Sequence, residues 1–411
     1  MPAAPLVAVI LDAARPYDRL IIGGVARYAR ERAADWSLYV EEDPLQKLPD
    51  LRRWHGQGII ANFDDRRVAT AIGGLSLPIV GVGGGYGWFD RESAVPYVFT
   101  DNAAIGRLGA AHLLACGFET LAYYGYPRTA TAGWSQERAE AFSAASREAG
   151  RPCHVHTGRH ADARRWQELQ DDLCGWLRGL PRPIGLMACN DVRARHVLEA
   201  CRTLGLRVPH DVAVLGVDND EMICDLTSPP LSSIDQAARR IGYEAATLLD
   251  RMISGGVAAA AHARVVVPPI GVVARTSTDT MATADEAVVA TLQKLRETPL
   301  GKPAVAAIAA ELCLSRATLE SRFKAVVGRS IHDESVRLRV AAIRRLITET
   351  DLPLKTISTR AGFRSVQYMT TFFHRHTGTT PARLRIAERN LAGASGRPGA
   401  ACGNAHGADR P

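Results

Sequence analysis

Short apolar runs separated by helical patterns fill the chain from Leu6 to Val273, and this feature constrains the fold more than any other. The runs show little alternation between apolar and polar residues, which is typical of strands that helices cover on both faces of a parallel sheet. The pattern therefore predicts an α/β fold built on parallel sheets. The clearest runs are VAVIL, SLYVEE, GIIANF, PIVGVG, TLAYYG, IGLMAC and VAVLGVD.

Asp and Asn dominate the residues that follow these runs. Ligands of open parallel sheets bind outside the carboxyl ends of the strands, so these residues are candidates for a binding site. About half of them are expected to be N-caps of the following helices, and the remainder suit a ligand rich in hydroxyl groups. They are Asp12, Tyr17–Arg19, Asn62–Asp65, Gly83–Gly85, Thr100–Asn102, Asn190–Asp191 and Asp218–Asp220.

The sequence argues against a nucleotide site, a metal site and a catalytic triad. The segment Gly81–Gly87, GVGGGYG, does not fit G-x-G-x-x-G, and no G-x-x-x-x-G-K-[ST] occurs, so a turn or the rim of a cleft is favoured. The segment His154–His160, HVHTGRH, lacks the partners of a metal site and predicts a surface strand and loop. No G-x-S-x-G motif is present. We therefore expect no metal, no cofactor and no enzyme activity.

Cysteine usage and hydropathy indicate the compartment. The eight cysteines form no C-x-x-C pair and no regular ladder, which favours reduced thiols. The N-terminal stretch has no basic segment before its apolar run, which stops at Asp12, too early for a secretory signal. No apolar stretch reaches the length that spans a membrane. These features predict a cytoplasmic protein without a membrane partner.

Charge separates the chain into two parts. Residues 1–284 carry 30 Lys and Arg against 32 Asp and Glu, whereas residues 285–390 carry 18 against 10. The net charge of +8 in the second part indicates an acidic partner, with nucleic acid the commonest. A solvated basic surface is the alternative, and charge alone does not decide between the two.

The basic part contains the pattern of a helix-turn-helix twice. In Val305–Phe323 and again in Leu352–Phe373, a short apolar helix is followed by a tight turn and a second helix with polar outward positions. Ser315 and Ser365 are placed to cap the second helix of each copy. Ser330–Thr350 reads as one amphipathic helix between the copies, and its expected apolar stripe is Leu338, Ala342 and Leu346.

Several segments of the first part resemble the effector domain of LacI/GalR-type repressors, which is itself similar to periplasmic sugar-binding proteins. The most specific are TDNAAIGRLGAAHLLACGF, MACNDVRARHVLEACRTLGLRVPHDVAVLGVDND and PPLSSIDQAARRIGYEAA. The resemblance implies two lobes joined by three crossovers, with a sugar in the cleft between them. Those repressors carry their DNA-binding helices at the N-terminus, whereas here the expected sheet begins at Leu6.

Ala304–Arg385 resembles the AraC/XylS DNA-binding domain, on the motifs IAAELCLSRATLESRFKAVVG and ISTRAGFRSVQYMTTFFHRHTGTTPARLR. The resemblance implies that each helix-turn-helix places one recognition helix in successive major grooves on one face of the DNA. It assigns the outward positions of the two recognition helices to Arg316, Ala317, Glu320 and Ser321 and to Val366, Gln367, Thr370 and Thr371, and it makes Ser365 a further candidate DNA contact.

These positions differ in what they could read. Gln367 could pair with adenine through two hydrogen bonds, and Glu320 could accept a bond from cytosine, while Ala317 and Val366 could only touch a thymine methyl. The basic residues Lys324, Arg364, Arg375 and Arg383 are assigned to phosphates or to solvent, because phosphate contacts position the protein without specifying a sequence. The aromatic residues Phe363, Tyr368, Phe372 and Phe373 are expected to pack in the core rather than stack on bases, with Tyr368 the candidate to face outward.

The combination of the two modules resembles the xylose-operon activators of bacteria. It implies an activator switched by a sugar, D-xylose, that binds tandem half-sites in a promoter as a homodimer and acts on RNA polymerase. Arg138 and Asp218 are expected to reach the sugar from neighbouring strand ends, and Trp134 either stacks on the sugar ring or is a core residue. The positions that match the family's cleft are Asp18, Arg19, Arg138, Asn190 or Asp191, Asp218 and Gln236, and with Trp134 they make eight candidate ligand residues.

The sequence thus predicts a two-lobed sugar-binding effector domain at 5–275, a linker at 276–284, a DNA-binding domain at 285–390 and a disordered Gly/Ala-rich tail at 391–411. The alternatives are a sugar-binding protein without a regulatory role, a sugar-processing enzyme and a regulator of a different sugar. An enzyme would need a base, a nucleophile or a phosphate loop, and the sequence offers none that can be identified.

Overall fold

A computed structural model describes residues 4–32, 36–41, 54–64, 66–72, 75–84, 95–127, 133–159, 163–279, 283, 285–301, 304–350 and 352–386. The chain divides into two compact units, Met1–Ala282 and Thr283–Pro411. The first unit contains two α/β lobes and the second is helical. The predicted fold class is therefore confirmed.

The first lobe is built on a six-stranded parallel sheet with the order β11-β5-β4-β3-β1-β2. Its helices α1, α2 and α8 span Pro16–Glu31, Arg66–Ile72 and Ala238–Gly255. Helices α1 and α8 approach so closely that a Cβ on Gly24 would lie 2.0 Å from the Arg239 carbonyl oxygen. The strands are β1 (Leu6–Ile10), β2 (Ser37–Val40), β3 (Gly58–Asn62), β4 (Ile79–Gly83), β5 (Tyr97–Thr100) and β11 (Arg264–Val267).

The second lobe is built on a sheet with the order β12-β10-β9-β8-β6-β7, in which only β12 is antiparallel to its neighbour. Its strands are β6 (Leu121–Tyr124), β7 (Cys153–His156), β8 (Ile184–Ala188), β9 (Val212–Val217), β10 (Ser232–Asp235) and β12 (Gly271–Val273). Its helices are α3 (Asn102–Ala115), α4 (Gly133–Glu148), α5 (Trp166–Arg178), α6 (Asp191–Thr203) and α7 (Glu221–Leu226).

All seven apolar runs named from the sequence form strands. Strands β3, β4, β6, β8 and β9 are buried along their whole length, as expected of strands covered on both faces. Because β1–β5 and β11 form one sheet and β6–β10 and β12 form the other, the chain crosses between the lobes three times. The crossovers follow β5, β10 and β11, and they provide the three connections that the resemblance implied.

The second unit contains α9 (Glu286–Glu297), α10 (Val305–Glu311), α11 (Arg316–Val327), α12 (Ile331–Glu349), α13 (Leu354–Arg360) and α14 (Val366–Thr377). Helices α10 with α11 and α13 with α14 form the two predicted helix-turn-helix pairs. Each pair has its own apolar core, one around Leu319 and Phe323 and the other around Met369 and Phe373. Helix α12 contributes to both cores.

The predicted apolar stripe of α12 is confirmed at Leu338, and in its second half it misses the most buried residues, although Leu346 packs against the second core. Ile343 and Ile347 are fully buried there, whereas Ala342 and Leu346 are only half-buried. The reason is that α12 serves two cores: Leu338 packs in the first, while Ile343 and Ile347 pack in the second on a different face of the helix.

The predicted linker begins inside the first unit. Thr276–Thr278 form a 3-10 turn in which Ser277 and Thr278 are buried. Of the remaining linker residues, the structure describes 279 and 283. Gly85–Gly87 of the glycine-rich segment and the tail 391–411 lie outside the described residues, and the domain boundaries stay a prediction. Among the described helices, none is long and apolar enough to cross a membrane.

Candidate functional site

Asp18 lies in the first turn of α1, at the carboxyl edge of the first lobe's sheet, and its side chain is buried. Its carboxylate accepts hydrogen bonds from the backbone N–H of Asp12 at 3.0 Å and from Asn62 Nδ2 at 3.1 Å. Burial raises the pKa of Asp18 to about 7, although the positive charge of Arg15 opposes the rise. This carboxyl can therefore change charge near neutral pH.

A line of hydrogen bonds leads from Asn62 across to the second lobe. Asn62 Oδ1 accepts from the Asp64 N–H at 2.8 Å, and Asp64 Oδ2 accepts from the Gly84 N–H at 2.7 Å. The carbonyl of Gly84 accepts from Asn102 Nδ2 at 2.9 Å. Asn102 begins α3, directly after the first crossover, so the two lobes share this network of bonds.

Arg138 is the centre of the network on the second lobe. It lies on α4, is 3 % exposed and uses all three of its nitrogens. Nε donates to Asn102 Oδ1 at 3.0 Å, Nη1 to the Cys189 carbonyl at 2.7 Å and Nη2 to Gln236 Oε1 at 2.8 Å. Asn102 lies at the first crossover and Gln236 at the second. The guanidinium of Arg138 therefore bonds both crossovers to α4.

The network ends at Asp218, which follows β9. Gln236 Nε2 donates to Asp218 Oδ1, and the side chain of Asp218 is buried. Burial raises the pKa of Asp218 to about 7, against a lowering by Arg138, and the charge of Asp18 adds to the rise. Asp18 and Asp218 are thus two buried carboxyls from opposite lobes, close enough for the charge of Asp18 to contribute to the raised pKa of Asp218.

Trp134 lies against Arg138 and Gly84. Its ring lies 4.8 Å from Arg138 Cζ, and a Cβ on Gly84 would lie only 2.9 Å from the Trp134 Cβ. Glycine at position 84 therefore allows the first lobe to approach this tryptophan. Carboxylates that accept, a guanidinium and amides that donate, and an aromatic wall are together the groups that recognise a polyhydroxylated ligand.

The structure brings five of the eight predicted ligand residues into this network: Asp18, Trp134, Arg138, Asp218 and Gln236. Arg19 is exposed at the rim, where Nη2 lies 3.4 Å from Asp220 Oδ2 of the other lobe. Asn190 caps α6 by accepting from the Arg193 N–H at 2.9 Å. The expectation that Arg138 and Asp218 come from neighbouring strand ends is wrong, because β8 lies between β6 and β9.

Asp191 is fully buried and bonded to the second lobe itself. Oδ1 accepts from Ser233 Oγ at 2.6 Å, and Oδ2 accepts from the Asp220 N–H at 2.9 Å. Burial raises its pKa well above the ordinary value, with a further rise from Asp218. In this structure Asp191 supports the loop after β9.

Further residues of the site belong to the carboxyl-end candidates of the sequence but not to the eight predicted ligand residues. Tyr17 donates to the Gly83 carbonyl at 3.1 Å and pairs with Thr100 Oγ1 at 2.8 Å, beside Asn62, Asp64 and Asn102. Each of these follows a strand or begins the next helix, so the carboxyl-end pattern contained the signal. Arg193 is a further buried arginine of the second lobe that the sequence did not single out. It is fully buried, its Cζ lies 4.4 Å from the Tyr126 ring, and it donates to the Tyr124 hydroxyl at 2.8 Å.

A cavity of about 470 Å³ opens beside the first crossover and shares only Thr100 and Asn102 with the residues above. Its remaining lining is Phe99, Asp101, Ala103, Glu137, Glu140, Ala141 and Val266. The cavity therefore touches the polar network at Asn102, while Asp18, Arg138 and Asp218 are not part of its lining.

The second unit presents two matching recognition helices. Ser315 Oγ accepts from the Thr318 N–H at 3.1 Å and Ser365 Oγ from the Tyr368 N–H at 3.3 Å, so each predicted serine caps its helix. Both helices end at a left-handed glycine, Gly328 with φ 75° and Gly378 with φ 72°. The exposed predicted contacts are Arg316, Ala317, Ser321, Lys324, Arg364, Ser365, Gln367 and Thr371, and Glu320, Val366 and Thr370 are half-buried.

Glu320 has a partner within its own helix. Arg316 Nε donates to Glu320 Oε1 at 2.9 Å, one turn apart on α11. This bond uses one carboxylate oxygen of the residue that was assigned to cytosine, and it is made by Nε of Arg316 rather than by Nη1 or Nη2. A guanidinium on an exposed helix face suits the O6 and N7 acceptors of guanine.

Aromatic residues of the second helix-turn-helix divide between core and surface. Phe373 is fully buried, and Phe363 and Phe372 lie 5.2 Å apart in a half-buried pair. Tyr368 is 68 % exposed and faces outward. Arg339 of α12 covers the pair, with Cζ 4.1 Å from the Phe363 ring and a hydrogen bond to the Ala361 carbonyl. This arginine fixes the second helix-turn-helix against α12.

A buried ion cluster fixes the first helix-turn-helix. Glu334 at the start of α12 is 1 % exposed and accepts from Arg329 Nε at 2.5 Å and from Arg337 Nη2 at 2.8 Å. Although burial raises the pKa of Glu334, the two arginines together hold it below the ordinary value. The end of α11 is thus tied to α12 by a charged carboxylate.

Comparisons with known proteins agree with this architecture. Residues 6–103 match a family model described as the XylR N-terminal domain, residues 110–278 a periplasmic binding protein-like domain and residues 308–387 a helix-turn-helix domain. The chain is 34 % identical over 379 residues to the xylose operon regulatory protein of Escherichia coli K12, which covers 92 % of this chain and 96 % of that protein.

Two further similarities extend over the same length. The xylose operon regulatory protein of Haemophilus influenzae is 32 % identical over 380 residues, covering 92 % of this chain and 98 % of that one. A solved structure of the xylose-binding transcription activator xylR matches with a TM-score of 0.73 at 33 % identity, covering 93 % of this chain and 98 % of that one. Both modules and their order are therefore shared with these proteins.

Proposed function

This chain belongs to the family of the xylose operon regulatory proteins, and from that premise we propose that it is a DNA-binding transcription activator that responds to D-xylose. The observation that carries the proposal is the bond network centred on Arg138, which joins two crossovers to Asp218 beside an aromatic wall. The same chain carries two capped recognition helices in a basic unit.

The sugar occupies the cleft between the lobes. Its hydroxyl groups donate to the carboxylates of Asp18 and Asp218 and accept from Arg138 and Gln236, while the Trp134 ring packs on its apolar face. Support comes from the burial of both carboxyls, because charge-assisted hydrogen bonds in a site shielded from water are the strong ones. Arg19 and Asp220 close the rim through their ion pair.

The second unit reads DNA. Helices α11 and α14 enter successive major grooves, where Arg316, Gln367 and Thr371 meet base edges and Lys324 and Arg364 meet phosphates. Two protomers act as a homodimer on tandem half-sites in a promoter, in the cytoplasm, and they recruit RNA polymerase. We assign the chain no catalytic step.

Sugar acts by shifting a population of conformations. D-Xylose stabilises the conformation in which both lobes contact it, and that conformation presents the DNA-reading units to tandem half-sites with higher affinity. The coupling is reciprocal, so operator DNA raises the affinity for sugar by the same factor.

Calorimetric titration of the full chain with D-xylose, L-arabinose, D-ribose and D-glucose tests the effector. We expect D-xylose to bind most tightly. DNA sites selected by the protein from a randomised duplex library then provide an operator, whose affinity should rise on addition of D-xylose. Equal operator affinity with and without a sugar that binds would refute the regulatory role, and turnover of a bound pentose would instead indicate an enzyme.

A further inference from the structure

The loop after β9 holds two non-glycine residues in left-handed backbone. Asp218 has φ 120° and Asn219 has φ 52°, a region that residues with a side chain rarely adopt unless surrounding bonds hold them there. Asp218 belongs to the proposed sugar site, and Asn219 is the next residue. A change in the contacts of the Asp218 carboxylate therefore reaches Asn219 through a single peptide bond.

The buried carboxylate of Asp191 binds this loop and the neighbouring strand β10. Asp191 accepts from Ser233 Oγ at 2.6 Å and from the Asp220 N–H at 2.9 Å. The same Ser233 Oγ accepts from the Asn219 N–H at 2.9 Å. The backbone of the loop is thus anchored at Asn219 and at Asp220. The side chain of Asn219 has a separate partner.

That partner is Arg275, the residue before the predicted linker. Arg275 Nη2 donates to Asn219 Oδ1 at 3.0 Å, and Nη1 donates to the Leu231 carbonyl at 3.0 Å. Its side chain is only 17 % exposed, with Nε 3.7 Å from Asp225 Oδ1. One guanidinium therefore bridges the loop after β9 and the start of β10.

The residues after Arg275 continue this attachment. The Arg275 N–H donates to Ser232 Oγ at 2.8 Å, and Thr278 Oγ1 bonds the same oxygen at 2.8 Å. Ser277 donates through its hydroxyl to the Val214 carbonyl at 2.6 Å and through its N–H to the Pro230 carbonyl at 3.0 Å. Residues 275–279 are thus held on the second lobe, and the chain then continues to the DNA-reading unit.

We propose that Asn219 and Arg275 form a latch, through which occupancy of the sugar site controls residues 276–279 and hence the presentation of the DNA-reading unit. Both are positioning residues that do not touch the sugar, and the inference rests on the proposed function. A sugar hydroxyl that takes Asp218 Oδ1 from the Gln236 amide removes a bond that fixes the left-handed loop. Asn219 then moves and its bond to Arg275 opens, which loosens the attachment of residues 276–279 to the second lobe.

Four substitutions in the full chain separate this latch from general destabilisation. Asn219→Gly removes the acceptor and keeps a residue that adopts left-handed backbone readily, and Arg275→Gln removes the guanidinium fork. Asn219→Asp keeps an acceptor oxygen for Arg275. Arg207→Gln is the matched control. Arg207 is a partly exposed arginine of the same lobe, and its Nη2 donates to Asp211 Oδ1 at 2.6 Å, just before β9 begins.

The readouts are calorimetric D-xylose affinity and operator affinity with and without D-xylose. For the wild type we expect sugar to change operator affinity by about 5- to 150-fold, the usual range of allosteric coupling. In Asn219→Gly and Arg275→Gln that ratio should fall to within about twofold of one while xylose affinity stays within about threefold of wild type. Asn219→Asp and Arg207→Gln should keep the wild-type ratio. Latch variants with an unchanged ratio would overturn the proposal.

Hydrogen exchange at the amides of Ser277 and Asp279 tests the latch without an operator. Exchange should be slow in the wild type, faster when D-xylose is bound, and already fast in Asn219→Gly without sugar. If no sugar binds the wild type, the proposed function fails, and the comparison of wild type with Asn219→Gly still decides the latch. Equal exchange in those two proteins would show that Asn219 does not hold these residues.

Discussion

Arg138 determines how the residues of the proposed sugar site meet. Its three nitrogens bond Asn102, Cys189 and Gln236, so the residues after two crossovers and the end of β8 are held by one side chain. Gln236 extends this arrangement to Asp218. A ligand hydroxyl in this cleft therefore competes for groups that already have partners, and its affinity depends on how well it replaces them.

The contribution of Asp218 can be measured directly. Asp218→Ala removes a charge-assisted acceptor for sugar hydroxyls, a loss of about 1.5 to 3 kcal/mol, so we expect D-xylose affinity to fall roughly ten- to a hundredfold by calorimetry. Asp211→Ala is the control, since Asp211 precedes β9 and Asp218 follows it. Normal sugar affinity in Asp218→Ala would remove this residue from the site.

The raised pKa values give the sugar site a pH dependence. Asp18 and Asp218 each have a pKa of about 7, and hydroxyl donors favour the ionised carboxylates, so sugar binding should lower both values. D-Xylose affinity should therefore rise with pH up to about 7 and then level off. Below that point each carboxyl that must ionise costs about tenfold in affinity per pH unit.

Two measurements check the sign of this effect. Calorimetry between pH 5.5 and 8.5 should show the slope, and Asp18→Asn should remove part of it. The stability of the protein without sugar should change with pH in the opposite direction. Because the folded pKa values of both carboxyls lie above the ordinary 3.8, the free energy of unfolding is highest at low pH and falls as pH rises through about 7. A sugar affinity that is flat with pH would show that neither carboxylate accepts from the ligand.

The pair Arg316 and Glu320 sets another expectation at this scale. If Glu320 orients Arg316 toward guanine, then Glu320→Ala and Arg316→Ala should relax specificity at the same base pair, each by about 1 to 3 kcal/mol. The double variant should lose no more than Arg316→Ala alone, because the two residues act as a unit. Binding to a library of single-base site variants measures this. Loss at two different base pairs would mean that Glu320 reads a base itself.

At the scale of elements, α12 connects two helix-turn-helix pairs that are fixed by different chemistry. The first is tied by the buried Glu334 between Arg329 and Arg337, and the second by Arg339 over the rings of Phe363 and Phe372. Both pairs use a serine cap and a left-handed glycine at the ends of the recognition helix. The local signals repeat, whereas the contacts that orient each pair do not.

Removing the second of these attachments should weaken DNA binding without changing specificity. Arg339→Met keeps an apolar stem but loses the cation–π contact and the bond to the Ala361 carbonyl, so we expect about 1 to 3 kcal/mol lower stability. Operator affinity should fall evenly across site variants. Arg360→Met, at an exposed arginine of α13, is the control for denaturant unfolding. A change in base preference would instead place Arg339 at the DNA.

At the scale of the whole molecule, the change from a near-neutral to a basic composition falls close to the boundary between the two compact units. A fragment of residues 283–390 contains both apolar cores of the second unit and the net +8 of residues 285–390. We expect it to bind DNA without sugar, with an affinity that falls steeply as salt releases counterions. Fluorescence anisotropy at several salt concentrations measures this. Binding that does not depend on salt would contradict the assignment of the basic unit to DNA.

Features with a short-range cause were predictable from the sequence. The apolar runs form strands because continuous apolar residues suit strands that are covered on both faces, as β3, β4, β6, β8 and β9 are. Ser315 and Ser365 cap helices because the cap bonds an N–H three residues ahead. The carboxyl ends of the strands gave the region of the site, since Asp18, Asn62, Asn102 and Asp218 all lie there.

Tertiary structure alone decided which polar groups meet. Asn190 and Asp191 have the same sequence context as Asp218, yet Asn190 caps α6 and Asp191 is buried beneath a loop, while Asp218 reaches Gln236. The apolar stripe of α12 shifts to Ile343 and Ile347 because a second core forms against it. Helix and strand periods fix which face a residue occupies, but its partner comes from an element distant in the chain, and only the packing of crossovers and cores brings that element into contact.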